Sequence, residues 1–179
     1  MSLSKLERRK QQNGKIRAEI ARVKHNSKIN KTKEVVCVLI KPGFACYQNI
    51  VWDITSMIKQ KGLKIEVEST EFLTRDVVAK HYPPLKEKPF YNELVDYMVS
   101  DFVVKMVVSG KNAVKIVRDL CGATDPANAA EGTIRKKYGT SIQKNAIHAS
   151  SSVEEGRSEI RLHFDAEVVT YLRRKGFEL

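Results

Sequence analysis

Six consecutive apolar residues, Val35 to Ile40, stop abruptly at Lys41-Pro42-Gly43. A strand with no polar interruption has no face left for water, so this β-branched run predicts a strand buried on both sides. Whatever the chain folds into must therefore cover both faces of a sheet around residues 35–40.

The rest of the pattern supplies the covering elements. Ile50, Val51, Ile54, Met57 and Ile58 follow helical spacing up to Gly62, and Leu63, Ile65 and Val67 alternate as in a second strand. A short helix is expected over 74–81, ended by Pro83-Pro84, and another over 91–99. A third strand is expected over 102–108, and a helix over 113–120 that Gly122 stops. Residues 122–147 are richer in small and polar residues. After them, Ser152-Val-Glu-Glu155 has the form of a capping box opening a helix to about Leu162. Helices and strands in this order predict an α+β (α/β sandwich) domain. Its layout is ferredoxin-like, β-α-β-β-α-β, with a four-stranded antiparallel sheet and an added helical hairpin.

Charge divides the chain into two parts. Residues 1–34 hold eleven Lys and Arg against three Glu, so +8 of the formal +11 belongs to the N-terminal end. Residues 1–33 read as a basic extension, flexible or helical. Leu3, Leu6, Ile16, Ile20 and Val23 give it one weak apolar edge, which Gly14 interrupts. Residues 34–179 read as the folded domain, with 165–179 a C-terminal helical extension carrying Val168, Val169 and Leu172. Such an arm would attract nucleic acid or an acidic partner with affinity that falls as salt rises. Lacking interleaved aromatics, it offers no base stacking. Glu7, Glu19 and the scarcity of Ser argue against a mitochondrial-type presequence. No apolar run is long enough to cross a bilayer, and Cys37, Cys46 and Cys121 form no CxxC pair, so they are expected as reduced core thiols in a cytoplasmic protein.

Chemistry is suggested at two places. His148 lies among small residues in Asn145-Ala-Ile-His148-Ala-Ser150, with Glu159 on the next helix, where it could turn back and hold one imidazole nitrogen. Lys41, Arg118, Thr124 and Arg135 are groups that bind phosphate, although spacing alone does not gather them. There is no GxxxxGK[ST] loop, no protein-kinase motif set and no zinc spacing.

In order, Lys41-Pro42-Gly43, His81-Tyr82, Lys88-Pro89-Phe90, Leu94-Val-Asp-Tyr-Met98, Gly122-Ala-Thr-Asp-Pro126, Gly132-Thr-Ile-Arg135 and Asn145-Ala-Ile-His148-Ala-Ser150 resemble nucleoside diphosphate kinases over about residues 35–164. The resemblance implies transfer of the γ-phosphoryl of a nucleoside triphosphate to a nucleoside diphosphate, by a ping-pong route through a phosphohistidine at His148. It implies Glu159 as the group that orients the histidine, and Ser150 beside it, supporting its protonation or the transferring group. It further implies that Lys41, Tyr82, Arg118, Thr124, Arg135 and Asn145 hold phosphates and ribose, that Phe90 stacks on the base and that Ile142 lines its other side. Mg2+ would arrive on the nucleotide phosphates with no ligand from the protein, and the subunits would assemble as a hexamer or tetramer. A kinase-like scaffold acting through the basic arm is the competing reading. Three departures stand out: the Lys-Pro-Gly loop lacks the family's aspartate and is one residue longer, Ala149 stands where glycine is usual, and Ser151 stands where an acid is usual.

Overall fold

The computed structural model describes residues 33–179. The expectations for the arm, including its helical edge and its contacts with nucleic acid, lie outside the described residues.

Four strands, β1 (Glu34–Ile40), β2 (Lys64–Glu71), β3 (Val103–Gly110) and β4 (Ile147–Ala149), form one antiparallel sheet in the order β2-β3-β1-β4. The helices are α1 (Gln48–Gln60), α2 (Arg75–His81), α3 (Tyr91–Met98), α4 (Ala113–Cys121), α5 (Ile134–Tyr138), α6 (Val153–His163) and α7 (Ala166–Arg174), with 3-10 turns at Pro83–Leu85 and Pro126–Asn128. This is the expected ferredoxin-like α+β layout.

The central strand accounts for the unbroken apolar run. Because side chains alternate across a strand, Val36, Val38 and Ile40 enter a core with Ile54 and Ile58 of α1 and Val117 of α4. Val35, Cys37 and Leu39 enter a second core with Val78 of α2, Leu94 and Met98 of α3, Ile160 of α6 and Leu172 of α7. Both faces of β1 are thus dry. The C-terminal segment packs on its own chain, since Leu172 and Phe177 are buried in this second core.

Two details position α6. Its N-cap works as expected, with Ser152 Oγ accepting from Glu155 N–H at 3.0 Å, while the Glu155 carboxylate accepts from Ser151 N–H rather than from Ser152. Gly156 lets the helix rest on the sheet: a Cβ there would stand 2.5 Å from the Val35 carbonyl oxygen. Three expectations need correction or sharpening. Cys46 is exposed, because it falls in the loop before α1 rather than in the core. The 122–147 stretch contains a short helix, α5, whose five residues are too few to show a period. The fourth strand is only three residues long, too short to show alternation, and holds its place by pairing with Val38–Ile40. Among the described residues no helix is long and apolar enough to cross a membrane.

Candidate active site

β4 is the edge strand that carries His148, opposite Leu39 of β1. Ile147 and Ala149 point into the core beneath α1 and α4, so strand alternation sends the His148 side chain to the other face, where α6 lies. There His148 Nε2 is 2.9 Å from Glu159 Oε1. An ionised carboxylate can only accept, so Nε2 carries the proton and Nδ1 keeps its lone pair. Burial, reinforced by the Lys41 charge, holds the His148 pKa down at about 3, so the ring is neutral at physiological pH. Burial pushes the Glu159 carboxyl up to about 7, with the neighbouring His81 ring and the Ser150 hydrogen bond pulling it back.

Ser150 completes this arrangement from behind. Its hydroxyl donates to Glu159 Oε2 at 2.6 Å and accepts from Cys37 N–H at 3.0 Å, and the residue is fully buried. It holds Glu159 to β1 and is not among the residues that line the cavity.

In front of His148 is a cavity of about 360 Å³. Every binding residue expected from the sequence lines it: Lys41, Tyr82, Phe90, Arg118, Thr124, Arg135, Ile142 and Asn145. They come from different elements. Lys41 directly follows β1; Tyr82 and Phe90 belong to the α2–α3 hairpin; Arg118 stands on α4 and Arg135 on α5; Thr124, Ile142 and Asn145 are on loops. Phe90 is 41% exposed and Ile142 60%, which makes an open apolar mouth above a polar floor.

The floor is rigidly held. Arg135 donates to the Gly122 and Ile147 carbonyls at 2.8 and 3.1 Å, and Asn145 Nδ2 to the Thr124 carbonyl at 3.0 Å. Lys41 Nζ donates to the Gln143 carbonyl, and burial together with the Arg135 charge lowers its pKa to about 8. Ala146 has φ +70°, a left-handed value that a non-glycine residue adopts at a cost, closed by Ile147 N–H donating to the Asn145 carbonyl. The altered loop after Lys41 is also anchored: Lys41 N–H donates to the Ala146 carbonyl, and the Tyr97 hydroxyl to the Pro42 carbonyl at 2.8 Å. Without the aspartate, these bonds keep Lys41 in place.

The family-model match for nucleoside diphosphate kinase covers residues 34–169. A nucleoside diphosphate kinase of Archaeoglobus fulgidus is 43% identical over 135 residues, 75% of this chain and 89% of its own length. The chain belongs to the nucleoside diphosphate kinase family. A relative from Pyrococcus furiosus is 43% identical over 139 residues, 76% of this chain and 86% of its own. Among solved structures, the apo enzyme of Encephalitozoon cuniculi superposes with a TM-score of 0.72 at 38% identity, covering 75% of this chain and 91% of that one. A Halobacterium salinarum enzyme in complex with CDP gives 0.71 at 35% identity, covering 75% and 90%. Nucleoside diphosphate kinases move a phosphoryl group from nucleoside triphosphates to diphosphates by a ping-pong reaction, and this chain is a phosphotransferase of that kind.

Some of the site could not be read in advance. Leu85, Leu94, Gln143, Ser151 and Glu155 also line the cavity. His81 packs edge-on against His148, ring centroids 4.4 Å apart, and His163 lies behind it. For His163 the available signal was spacing: Glu155, Glu159 and His163 stand four residues apart and share a face of α6. His81, His148 and Glu159 also bring potential metal-ligating atoms within 4.8 Å of one another, a grouping that sequence spacing did not suggest.

Proposed function

We propose that His148 is the nucleophile that carries the phosphoryl group. The observation that carries this reading is the 2.9 Å contact of Nε2 with the buried Glu159, which sets the tautomer and frees Nδ1 in a ring that lines a cationic cavity. In the first half-reaction the Nδ1 lone pair forms a bond to the γ-phosphorus. The bond from that phosphorus to the β,γ-bridging oxygen breaks, and its electron pair leaves with the diphosphate. Positive charge develops on the imidazole as the N–P bond forms, and the Glu159 carboxylate stabilises it through the Nε2 proton. A second diphosphate then reverses these steps and takes the group. One set of groups serves both halves because donor and acceptor are both nucleotides.

Lys41, Arg118 and Arg135 suit phosphate oxygens, with Tyr82, Thr124 and Asn145 offering hydrogen bonds to phosphate or ribose. The face of Phe90 and the side chain of Ile142 suit a base held between them without reading its edge, consistent with tolerance of base identity. Mg2+ fits this donor set only as a passenger. It prefers oxygen ligands, while the cavity offers three cations and a single carboxylate, Glu155, already bound to Ser151 N–H. When present it would neutralise phosphate charge. The His81, His148 and Glu159 group is nitrogen-rich and buried, and does not suit it.

We assign residues 34–179 to the catalytic domain and 1–33 to a separate extension. Assembly as a hexamer or tetramer is in keeping with Trp52 on α1, which is 70% exposed. The test is intact mass after brief incubation with ATP and Mg2+, for the wild type and His148→Ala. One acid-labile phosphoryl group that needs His148 and is removed by GDP is expected. Labelling that survives His148→Ala would overturn the assignment.

A further inference from the structure

His163 is a buried polar residue that does not line the cavity in front of His148. Its Nε2 lies 3.0 Å from His81 Nδ1, and its carbonyl accepts from Lys105 Nζ at 2.6 Å, which pins the end of α6 to β3. His81 Nδ1 has a second neighbour, Glu159 Oε1, at 3.6 Å, outside good hydrogen-bond distance. That oxygen is the one that holds His148 Nε2. Two imidazoles therefore stand poised to use one carboxylate oxygen, and only one of them reaches it.

We propose that His163 is a positioning residue that occupies His81 Nδ1 and so reserves Glu159 Oε1 for His148. Both tautomers lead to the same result. If His163 Nε2–H donates, the His81 Nδ1 lone pair is used and His81 has no proton at that atom to offer Glu159. If His81 Nδ1–H donates, the proton goes to His163 at 3.0 Å rather than to the carboxylate at 3.6 Å. Either way Glu159 Oε1 keeps its full basicity for His148. Without His163, a small turn of the His81 ring closes the gap, and Glu159 gains a second donor. A carboxylate that accepts one more hydrogen bond is a weaker base, so it orients the nucleophile and stabilises its developing charge less well. His81 Nε2 and His163 Nδ1 are both buried without partners among the described residues, so the ring-to-ring contact is the hydrogen bond each side chain makes.

Several charged and titratable groups face this cluster, and His81 meets Lys41 and His148 as well as Glu159 and His163. Glu159 meets His148 and Ser150 at β4, His81 and Tyr82 at the α2 end, Cys37 on β1 and Glu155 on its own helix. His163 meets His81, Lys105 of β3 and Glu71 of β2, and feels His148 behind His81.

The inference rests on the role proposed for His148 and Glu159, and its test separates the two. The rate of phosphohistidine formation from ATP and Mg2+ is measured against pH in the full-length wild type, His163→Phe and His163→Gln. His163→Phe keeps the volume and removes the nitrogen; it is expected to lower the maximal rate about tenfold with KM unchanged and to move the acid limb down by about one pH unit. His163→Gln, which can still engage His81 Nδ1, is expected to restore most of the rate and the limb. In the His81→Phe background, adding His163→Phe should cost nothing further, because its route to Glu159 is gone. A His163→Phe rate and limb like those of the wild type, or a loss that His163→Gln does not rescue, would overturn the proposal. Should His163→Phe not fold, the intact protein still decides: a through-hydrogen-bond nitrogen coupling between the His163 and His81 rings is expected, and its absence would refute the contact. Failure of the wild type to label at His148 would instead remove the reading beneath it.

Discussion

Replacing Glu159 with glutamine should make the protein more stable and less active, and both effects follow from one buried charge. The folded-state pKa of about 7 stands well above the ordinary glutamate value of 4.5, and at about 1.4 kcal/mol for each pH unit the difference is worth about 3 kcal/mol. Because the folded pKa is raised, the folded chain binds the proton more tightly than the unfolded chain does. The favourable contribution is complete below pH 4.5 and is lost as pH rises through 7. At pH 8 the wild type therefore bears the full cost of an ionised buried carboxylate, and the Glu159→Gln variant would not. The amide can still accept from His148 Nε2–H through its oxygen and donate to Ser150 Oγ, so the site should keep its shape. What it loses is charge assistance, about 1–2 kcal/mol, or roughly five- to thirtyfold in the rate of phosphohistidine formation. The assay is urea unfolding of both proteins at one fixed concentration from about pH 4.5 to 8.5, with single-turnover labelling alongside. The stability gap in favour of Glu159→Gln should widen by about 3 kcal/mol across that range. A gap that does not change with pH would show that Glu159 titrates as an ordinary carboxylate, and the claim that burial raises its pKa to about 7 would fall with it.

Two other outcomes are expected. The kcat/KM profile should be a narrow bell, with an acid limb near 7 from Glu159, which must be ionised, and an alkaline limb near 8 from Lys41, which must be charged. Lys41→Arg should extend the alkaline side, and an unchanged limb would exclude Lys41 as its source. Gly156→Ala should destabilise by about 1–2 kcal/mol in urea despite alanine's better helix propensity, because its Cβ meets the Val35 carbonyl oxygen at 2.5 Å; a neutral or stabilising result would mean α6 can lift without cost.

The amino-acid sequence by itself determined the elements and the inventory of the site. Val35 to Ile40 announced a strand dry on both faces, since apolarity at every position is a local property of the chain, and Ser152 and Glu155 marked the start of α6 because a capping bond spans only three residues. The motif order supplied His148, Glu159 and the phosphate-binding side chains. Only the tertiary structure decided how they meet. Lys41 and His148 reach one cavity because the sequence-distant strands β1 and β4 are neighbours in the sheet, and β4 is too short to declare itself without that pairing. Ser150 turned inward to Glu159 and Cys37 because strand register, which no local pattern encodes, set which way it faces. His81 and His163, 82 residues apart, share a hydrogen bond that exists only because α2 and α6 pack on the same side of β1. Local residue types dictate local backbone, whereas the direction of a side chain and the pKa it acquires depend on what the rest of the chain brings against it.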